Sequence, residues 1–511
     1  MAGLKPATIL RDRHLWWAVG IALAALVLRL SLVDFPIWTH KDEPIIAALS
    51  ERAVDQGTLT ANWAGFGAQW WSRPTYQFSP YTLVQSVIAK LVFWLAAAPS
   101  SLKGYILLAR VSSCCWGSLA VLLVYVLGRT CFSPMASLWG AATLATCFVQ
   151  VQDSIYARVD TFLGCLVLLT LIQAVRAAER PKHLPGFFLT SLCAGITVAA
   201  KYNAFPVLVL IPFIPFRWAR TGILSWQQAI RITLAGLVVV AIGIVVATPE
   251  LLWRPGPLIA GIKYEIEHYT AGQIPHQAHG WADNNLFYWT RYLVWLGFGW
   301  VQTLFALLFA VRIRVLRRWQ DFMLGIFLVV AMAFFLATKI RFERNLEICI
   351  GPLALMAGVT AWDFWGWLRR KQNPAVRFGL SVAFAALWFV QPIRVLYDFW
   401  ETVDYPWTAM AQLNAHLAPV PSINIPLTTH MPESVLNGKV QIVLWDLGDP
   451  FSAEAAPRWE RAIGSEPVLV LTSPWSRHGY PFSTVDLYHG PPRILVFERP
   501  THSPPLTPPG R

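Results

Sequence analysis

Long apolar runs dominate this chain and limit what it can fold into. From Leu15 to about Tyr397, runs of roughly 17 to 25 mostly hydrophobic residues alternate with short polar joints. Each run is long enough to cross a bilayer as a helix. Hydrophobic residues fill 56% of the 511 positions and charged residues only 14%, a balance that soluble enzymes rarely have. The pattern predicts an all-α polytopic membrane protein, and the first run, which lacks a cleavage site, is interpreted as its first span.

The formal net charge of +13 is distributed as short basic clusters between the apolar runs. Such clusters are typical of the cytoplasmic joints of membrane proteins, so the charge indicates topology and no nucleic-acid partner. The clusters occupy positions 5–13, 129, 176–182, 217–220, 312–318 and 369–377.

If every basic cluster faces the cytoplasm, an even number of spans must separate each neighbouring pair. This rule predicts that the run at 79–98 lies in the outer interface as a helix. It also predicts two spans between 182 and 217, with Lys201 and Tyr202 at the outer tip. The result is about eleven spans, with the N-terminus inside and the C-terminus outside. The predicted outer segments are 35–106, 152–162, the tip at Lys201, 249–284 and 339–345.

The chain changes character near residue 397. We expect a transmembrane catalytic domain over 1–396, a small extracytoplasmic α/β domain over 397–500 and a disordered Pro-rich tail over 501–511. Strands are expected near 440, 467 and 493, where "VQIVLW", "PVLVLTS" and "RILVFE" occur. The seven Cys residues show no CxxC spacing and are interpreted as packing residues.

Two acidic positions in different outer segments are candidates for chemistry. Asp42 and Glu43 follow the first span in "HKDEP", where a carboxylate could take a proton from a hydroxyl at the level of the lipid headgroups. The alternative is that Asp42 caps a helix that has Pro44 early in it. Asp160 stands where the chain re-enters the membrane, and its alternative is likewise an N-cap.

The basic residues of the outer segments are candidates for binding an anion. Lys201, Arg341 and Arg344 would stabilise the charge that develops on a phosphate leaving group, and the alternative is snorkelling to the headgroups. The residues beside them complete the predicted substrate-binding set, which is Arg158, Tyr202, Glu267, His268 and Asn345. The Glu and His residues of 249–284 lack regular ligand spacing, so we expect no metal. Without a phosphate-cradling Gly-rich loop, we expect no nucleotide cofactor either.

Four stretches resemble those of the GT-C glycosyltransferases that use polyprenyl-phosphate-linked sugars, the superfamily of the lipid A aminoarabinose transferases and the protein O-mannosyltransferases. They are "DEP" at Asp42, "YARVDTFLGCLVLL", "GITVAAKYN" and "RFERNLEICIGPLALMAG". The resemblance covers about residues 15 to 395. It departs from the family before the interfacial helix, where the usual Pro-Pro-Leu appears as "YQFSPYTLVQ".

The resemblance implies roles for these residues. Asp42 would be the catalytic carboxylate, with Glu43 beside it as the alternative, and Asp160 would be the acid of the second outer loop that helps shape the site. Lys201, Arg341 and Arg344 would hold the lipid phosphate. No cofactor is implied.

The sequence therefore predicts an inverting glycosyltransferase in the cell inner membrane, with its active site facing the periplasm or another extracytoplasmic side. Its partners would be a polyprenyl-phosphate-linked sugar donor, membrane lipids and an acceptor lipid, glycan or protein. The main alternative is a flippase or transporter of lipid-linked sugars, although transporters tend to carry charges near the bilayer midplane. A noncatalytic membrane anchor for the C-terminal domain is the second alternative.

Overall fold

The structure of the chain is a computed structural model. It describes residues 13–33, 43–55, 79–96, 101–181, 183–252, 255–271, 285–338, 341, 343–369 and 373–403, and four strands within 422–498. The chain divides into a helical unit, which covers 1–33, 41–273 and 278–393, and a second unit of 34–40, 274–277 and 394–511.

Helices account for the first unit. They are α1 (Arg13–Leu30), α2 (Glu43–Asp55), α3 (Ser79–Ala96), α4 (Leu102–Cys131), α5 (Pro134–Ala145), α6 (Phe148–Ser154), α7 (Asp160–Glu179), α8 (Leu184–Ala200), α9 (Leu210–Arg220), α10 (Trp226–Ala247), α11 (Pro255–Ala271), α12 (Asn285–Tyr292), α13 (Trp300–Leu316), α14 (Trp319–Ala337), α15 (Glu347–Arg369) and α16 (Pro374–Val403).

The described part of the chain contains eight helices that are long and apolar enough to cross a bilayer, and up to nine spans if the bent pair α5 and α6 forms one. The bend in that pair is 59°. Large apolar side chains on their outer surfaces are exposed, among them Val238, Val329 and Val390. Such surfaces suit a hydrocarbon environment, so the fold is that of a polytopic membrane protein.

Four of the basic joints meet at one end of the helical unit, which we call the inner end. Arg318 donates from Nη2 to the Cys131 carbonyl at 2.7 Å, and Arg217 donates from Nη1 to the Ala178 carbonyl at 2.6 Å. The Arg217 guanidinium also lies 4.2 Å from the centroid of the Trp319 ring. Four joints that are distant in sequence are therefore neighbours in space.

Helix α3 packs against α2, α8 and the beginning of α4. Near its start, the Tyr81 hydroxyl lies 3.4 Å from Ser113 Oγ, and near its end the Phe93 ring meets the Tyr105 ring at 5.0 Å between centroids. Both contacts fall in the first half of α4, which ends at the inner end. Both ends of α3 therefore lie beside that half of α4, and the outer, interfacial position of the run at 79–98 stays a prediction.

The chain breaks at Lys201, between α8 and a 3-10 helix over Tyr202–Val209 that continues into α9. The predicted tip thus separates two helical segments. Pro206 lies inside the 3-10 segment, and it cannot donate a backbone hydrogen bond there.

The second unit contains a four-stranded sheet in the order β1-β2-β4-β3. The strands are β1 (Ser422–Pro426), β2 (Gln441–Asp446), β3 (Leu469–Thr472) and β4 (Arg493–Glu498). Strands β1 and β2 are parallel, and β4 is antiparallel to both of its neighbours. The three β-rich runs of the sequence correspond to β2, β3 and β4, whereas β1 was not expected. Helix α16 continues to Val403, past the expected domain boundary at 397.

Candidate active site

Residues from all five predicted outer segments meet at the end of the helical unit opposite the basic joints, which we call the outer end. The first segment supplies Glu43, the second Asp160, the tip Lys201, the fourth Tyr269 and the last Asn345. Each of these residues is at most 6% exposed. Buried polar groups are costly unless they are paired, so their pairing determines what this cluster can do.

Glu43 is the first residue of α2 and forms a bidentate ion pair with Arg110 of α4. Arg110 Nε donates to Glu43 Oε1 at 2.8 Å, and Arg110 Nη2 donates to Glu43 Oε2 at 2.6 Å. The Ala157 backbone N–H also donates to Oε1 at 2.9 Å. A fully buried carboxylate with three charge-assisted hydrogen bonds is held firmly in place. It anchors the first outer segment to the second.

Asp160 and Lys201 form the central ion pair of the cluster. Lys201 Nζ lies 2.5 Å from Asp160 Oδ1 and donates to Asn345 Oδ1 at 3.2 Å. Asp160 is the first residue of α7, and its side chain does not cap that helix. Lys201 directs its ammonium group into the protein because α8 ends there. The pair joins the ends of two helices at a buried point.

Asn345 connects this ion pair to two further segments. Its Oδ1 also accepts from Asn203 Nδ2 at 3.1 Å, and its Nδ2 donates to the Tyr269 hydroxyl at 2.9 Å. The Tyr269 ring in turn meets the Tyr202 ring edge-on, with 5.5 Å between centroids. Helix α11 of the fourth outer segment is thus fixed over the Lys201 pair.

Arg158 and Arg341 are two further buried cations of the outer end. Arg158 Nη1 lies 3.1 Å from Asp153 Oδ1, and its guanidinium stands 4.4 Å from the Tyr156 ring centroid. Arg341 Nε donates to Asn285 Oδ1 at 3.0 Å, and its guanidinium stands 4.5 Å from the Tyr288 ring centroid.

Glu343 lies two positions after Arg341 and accepts a hydrogen bond from the Tyr288 hydroxyl. Arg341 and Glu343 are thus both held by α12. The aromatic and amide groups of this helix therefore shape the last outer segment.

A second polar layer lies beneath the cluster. Arg29 of α1 is fully buried and donates to Ser154 Oγ at 3.2 Å, to the Ala25 carbonyl at 2.8 Å and to Gln150 Oε1. Gln150 Nε2 donates to the Gly117 carbonyl at 2.9 Å. A β-carbon at Gly117 would collide with Ser154 Oγ, so only glycine allows this approach.

Glu347 is a buried acid at the start of α15. Its Oε2 has no hydrogen-bond partner among the residues that the structure describes. Its Oε1 lies 3.2 Å from where a β-carbon on Gly164 of α7 would stand. The carboxyl group therefore packs against α7 one turn after Asp160.

The structure brings several of the predicted site residues together. Asp160, Lys201, Tyr202 and Asn345 belong to the connected cluster. Glu43 is held to the second outer segment at Ala157, and Arg158 and Arg341 are buried. Arg344 is half-buried within the 3-10 segment Glu343–Leu346.

Three predicted residues have no described contact with this cluster. Glu267 is exposed on α11. The side chain of His268 and the whole of Asp42 lie outside the described residues. No group of three or more His, Cys, Asp or Glu residues within the described ranges could hold a metal ion.

Sequence reasoning missed Arg110, Arg29 and Tyr269. Arg110 and Arg29 lie within apolar runs, and that position was itself a signal, because a charge inside a span needs a buried partner. Tyr269 follows the two predicted residues Glu267 and His268 directly. On a helix, only one of three consecutive residues faces a given neighbour, and the sequence alone does not identify which.

Comparisons with known proteins agree with this architecture. Residues 89–253 match the family described as dolichyl-phosphate-mannose-protein mannosyltransferase. The undecaprenyl phosphate-alpha-4-amino-4-deoxy-L-arabinose arabinosyl transferase 2 of Pseudomonas fluorescens is 24% identical over 408 residues, which are 75% of this chain and 67% of the relative. The corresponding transferase of Pseudomonas aeruginosa is 25% identical over 415 residues, 76% of this chain and 68% of the relative.

Two solved structures share the fold. ArnT from Cupriavidus metallidurans, bound to undecaprenyl phosphate, superposes with a TM-score of 0.53 at 13% identity, over 94% of this chain and 97% of that one. The oligosaccharyltransferase of Archaeoglobus fulgidus in the apo form gives a TM-score of 0.53 at 15% identity, over 75% of this chain. The match spans 55% of that longer protein.

The helical unit therefore has the architecture of a polytopic membrane glycosyltransferase, with a buried polar cluster at one end of its helices. The partial family match, the relatives and the shared fold together support the GT-C glycosyltransferase superfamily for this chain.

Proposed function

We propose that this protein transfers a sugar from a polyprenyl-phosphate or diphosphate carrier to a lipid, glycan or protein acceptor on the extracytoplasmic side of the cell inner membrane. The observation that carries the proposal is the buried Asp160–Lys201–Asn345 cluster, in which three outer segments meet. The relatives that act on undecaprenyl-phosphate-linked aminoarabinose support the class of donor.

The reaction we propose is a single displacement at the anomeric carbon. The acceptor oxygen forms a bond to that carbon as the bond between the carbon and the phosphate oxygen breaks, and the bonding electrons leave with the phosphate. The acceptor proton passes to a carboxylate. Attack opposite the leaving group inverts the anomeric centre.

Asp42 is our choice for the carboxylate that takes the proton, and the geometry of its neighbour supports this choice. Glu43 is fully buried and already accepts three hydrogen bonds from Arg110 and Ala157. These bonds engage both oxygens of the Glu43 carboxylate, so the group is already committed to holding Arg110 and Ala157. Glu43 therefore serves as the anchor of the first outer segment, and the adjacent Asp42 serves as the base.

The cations Lys201, Arg341 and Arg344 bind the lipid phosphate in this proposal. As the phosphate leaves, its growing charge is stabilised by fixed cations in a site of low dielectric constant. Asp160 and Asn345 orient the Lys201 ammonium group, and Arg158 contributes positive charge from the second segment.

Tyr202, Glu267 and His268 belong to the acceptor side of the proposed site. Tyr202 supports α11 through Tyr269, and Glu267 is exposed on the same helix. An exposed carboxylate there is accessible to a polar acceptor.

The proposed topology has eleven crossings. It counts the bent pair α5 and α6 as one span and includes α8 and α13, which at 17 residues each are close to the length of a crossing. The active site then faces the periplasm, and residues 397–500 form an extracytoplasmic α/β domain followed by the Pro-rich tail.

The rival function is a flippase of the same lipid-linked sugars. Both functions are tested in proteoliposomes given undecaprenyl-phosphate sugars with a labelled sugar, together with envelope lipids. Transfer moves the label to a new acceptor and releases undecaprenyl phosphate. A donor that only changes leaflets would refute transfer and establish the flippase.

A further inference from the structure

A break in the helical structure separates α12 from α13. Residues Leu293–Gly297 form a π-helix, and the Leu293 carbonyl accepts from both Phe298 N at 3.1 Å and Gly299 N at 2.8 Å. Gly299 has φ 110°, a conformation that favours glycine. A π-helix inside a helical segment is rare and is often found at functional sites.

The break leaves backbone groups without their helical partners. In an α-helix, Phe298 N and Gly299 N would donate to the carbonyls of Val294 and Trp295. Here Gln391 of α16 replaces them, since its Nε2 donates to both carbonyls at 2.9 Å. Gln391 Oε1 also accepts from Trp300 N at 2.9 Å. One side chain thus satisfies three backbone groups.

Helix α16 has a gap of its own at the same level. Pro392 has no N–H, so the Trp388 carbonyl, four residues earlier, lacks its usual helical donor. Gln302 of α13 fills this position, because its Nε2 donates to the Trp388 carbonyl. Each broken helix is thus completed by a glutamine of the other, and we call Gln302 and Gln391 the glutamine clasp.

The short helix on the outer side of the clasp carries contacts of the candidate site. Asn285 of α12 accepts from Arg341 Nε at 3.0 Å and donates to the Leu336 carbonyl at 3.1 Å. Tyr288 lies under the Arg341 guanidinium and donates to Glu343. Because α12 has only 8 residues, the break at its end helps to set its direction.

We infer that Gln302 and Gln391 are positioning residues: by holding the π-helical break they keep α12, and through it Arg341 and Glu343, in the arrangement that binds the donor phosphate. This inference rests on the proposed function, which gives Arg341 that role. The clasp itself touches no substrate.

The first test compares Gln391→Leu with Gln228→Leu, which removes a glutamine hydrogen bond to the backbone at the inner end. Binding of undecaprenyl phosphate alone is measured in detergent, together with hydrogen exchange of the backbone over 285–300. We expect Gln391→Leu to raise the Kd about tenfold and to speed exchange, because remote positioning contacts act on this scale. Gln228→Leu should leave both unchanged. Unchanged Kd and exchange in Gln391→Leu would overturn the inference.

The second test uses Pro392→Ala as a rescue. Alanine restores a backbone N–H that can donate to the Trp388 carbonyl, so Gln302→Leu should raise the Kd less in the Pro392→Ala protein than in the wild type. An equal loss in both backgrounds would contradict the clasp. If the wild type binds no undecaprenyl phosphate, the proposed function fails, and the clasp is then judged by exchange: rescue of protection by Pro392→Ala supports it, and its absence refutes it.

Discussion

Lys201 Nζ lies 2.5 Å from Asp160 Oδ1, although the two residues are 41 positions apart and stand at the ends of different helices. Both side chains are at most 7% exposed. A pair in such a place has lost its water, so each charge depends on the other. The same pair is the centre of the proposed site.

Removing one member of this pair should lower the free energy of unfolding more than removing both. Lys201→Met leaves the Asp160 carboxylate buried without its cation, at a cost of about 3 to 5 kcal/mol in the free energy of unfolding. The double variant Asp160→Asn with Lys201→Met has no buried charge there and should recover part of the loss. Thermal unfolding in detergent measures both. The losses of stability in the two single variants are added and compared with the loss in the double variant. If the double variant loses as much stability as this sum, the ion pair does not hold the helix ends.

Glu43→Gln should lower the stability of the fold without removing the proposed catalytic base. The substitution breaks the two-pronged contact with Arg110, so we expect a lower unfolding temperature. Arg110→Lys should act similarly, since a lysine cannot form both bonds.

The activity that remains in Glu43→Gln should keep the pH–rate profile of the wild type, because the proton is taken by Asp42 in this proposal. A profile in Glu43→Gln that loses its acidic limb would assign the base to Glu43 instead. Steady-state kinetics at several pH values make this comparison.

Arg29→Met should destabilise the helical unit through the layer beneath the site. The fully buried guanidinium contacts α6 through Gln150 and Ser154, and its loss should cost about 2 kcal/mol or more, as for hydrogen bonds to charged groups. Arg231→Met is the matched control, because Arg231 is exposed near the start of α10. Equal unfolding temperatures for the two variants would rule out the stabilising role of Arg29.

Cysteine labelling tests the sidedness of the helical unit. In a protein whose native cysteines are replaced, Lys103→Cys and Lys263→Cys should react with an impermeant maleimide from the periplasmic side. Arg180→Cys and Arg220→Cys should react only after the membrane is permeabilised. All four positions are exposed on the protein, so differences in their labelling report the side of the membrane on which they lie. Labelling of Arg180→Cys from outside would refute the proposed topology.

The sequence predicted the membrane fold because the length of an apolar run is a direct consequence of bilayer thickness. Charge parity placed Lys201 at an outer tip, and the chain does break there. The same reasoning separated the inner joints from the outer segments, whose contacts now join Glu43 to Ala157 and Lys201 to Asn345.

The sequence alone could not predict which side chains pair between helices. The partner of Glu43 is Arg110, 67 positions away, and only the packing of α2 against α4 decides that choice. The clasp was missed for a similar reason: a glutamine in an apolar run has many possible partners, and a π-helical break leaves no period in the hydrophobic pattern. The proline at 392 was its one visible sign.

The most direct measurement of the central claim is sugar transfer by wild-type protein and Asp42→Asn, reconstituted in liposomes with undecaprenyl-phosphate sugars carrying a labelled sugar. Binding of undecaprenyl phosphate serves as the control for a folded donor site. We expect the wild type to move label to a new acceptor, and Asp42→Asn to bind undecaprenyl phosphate but to transfer the sugar about 10² to 10⁴-fold more slowly, the usual effect of losing a general base. Equal transfer by the two proteins, or a wild type that binds the carrier and transfers nothing, would contradict the account.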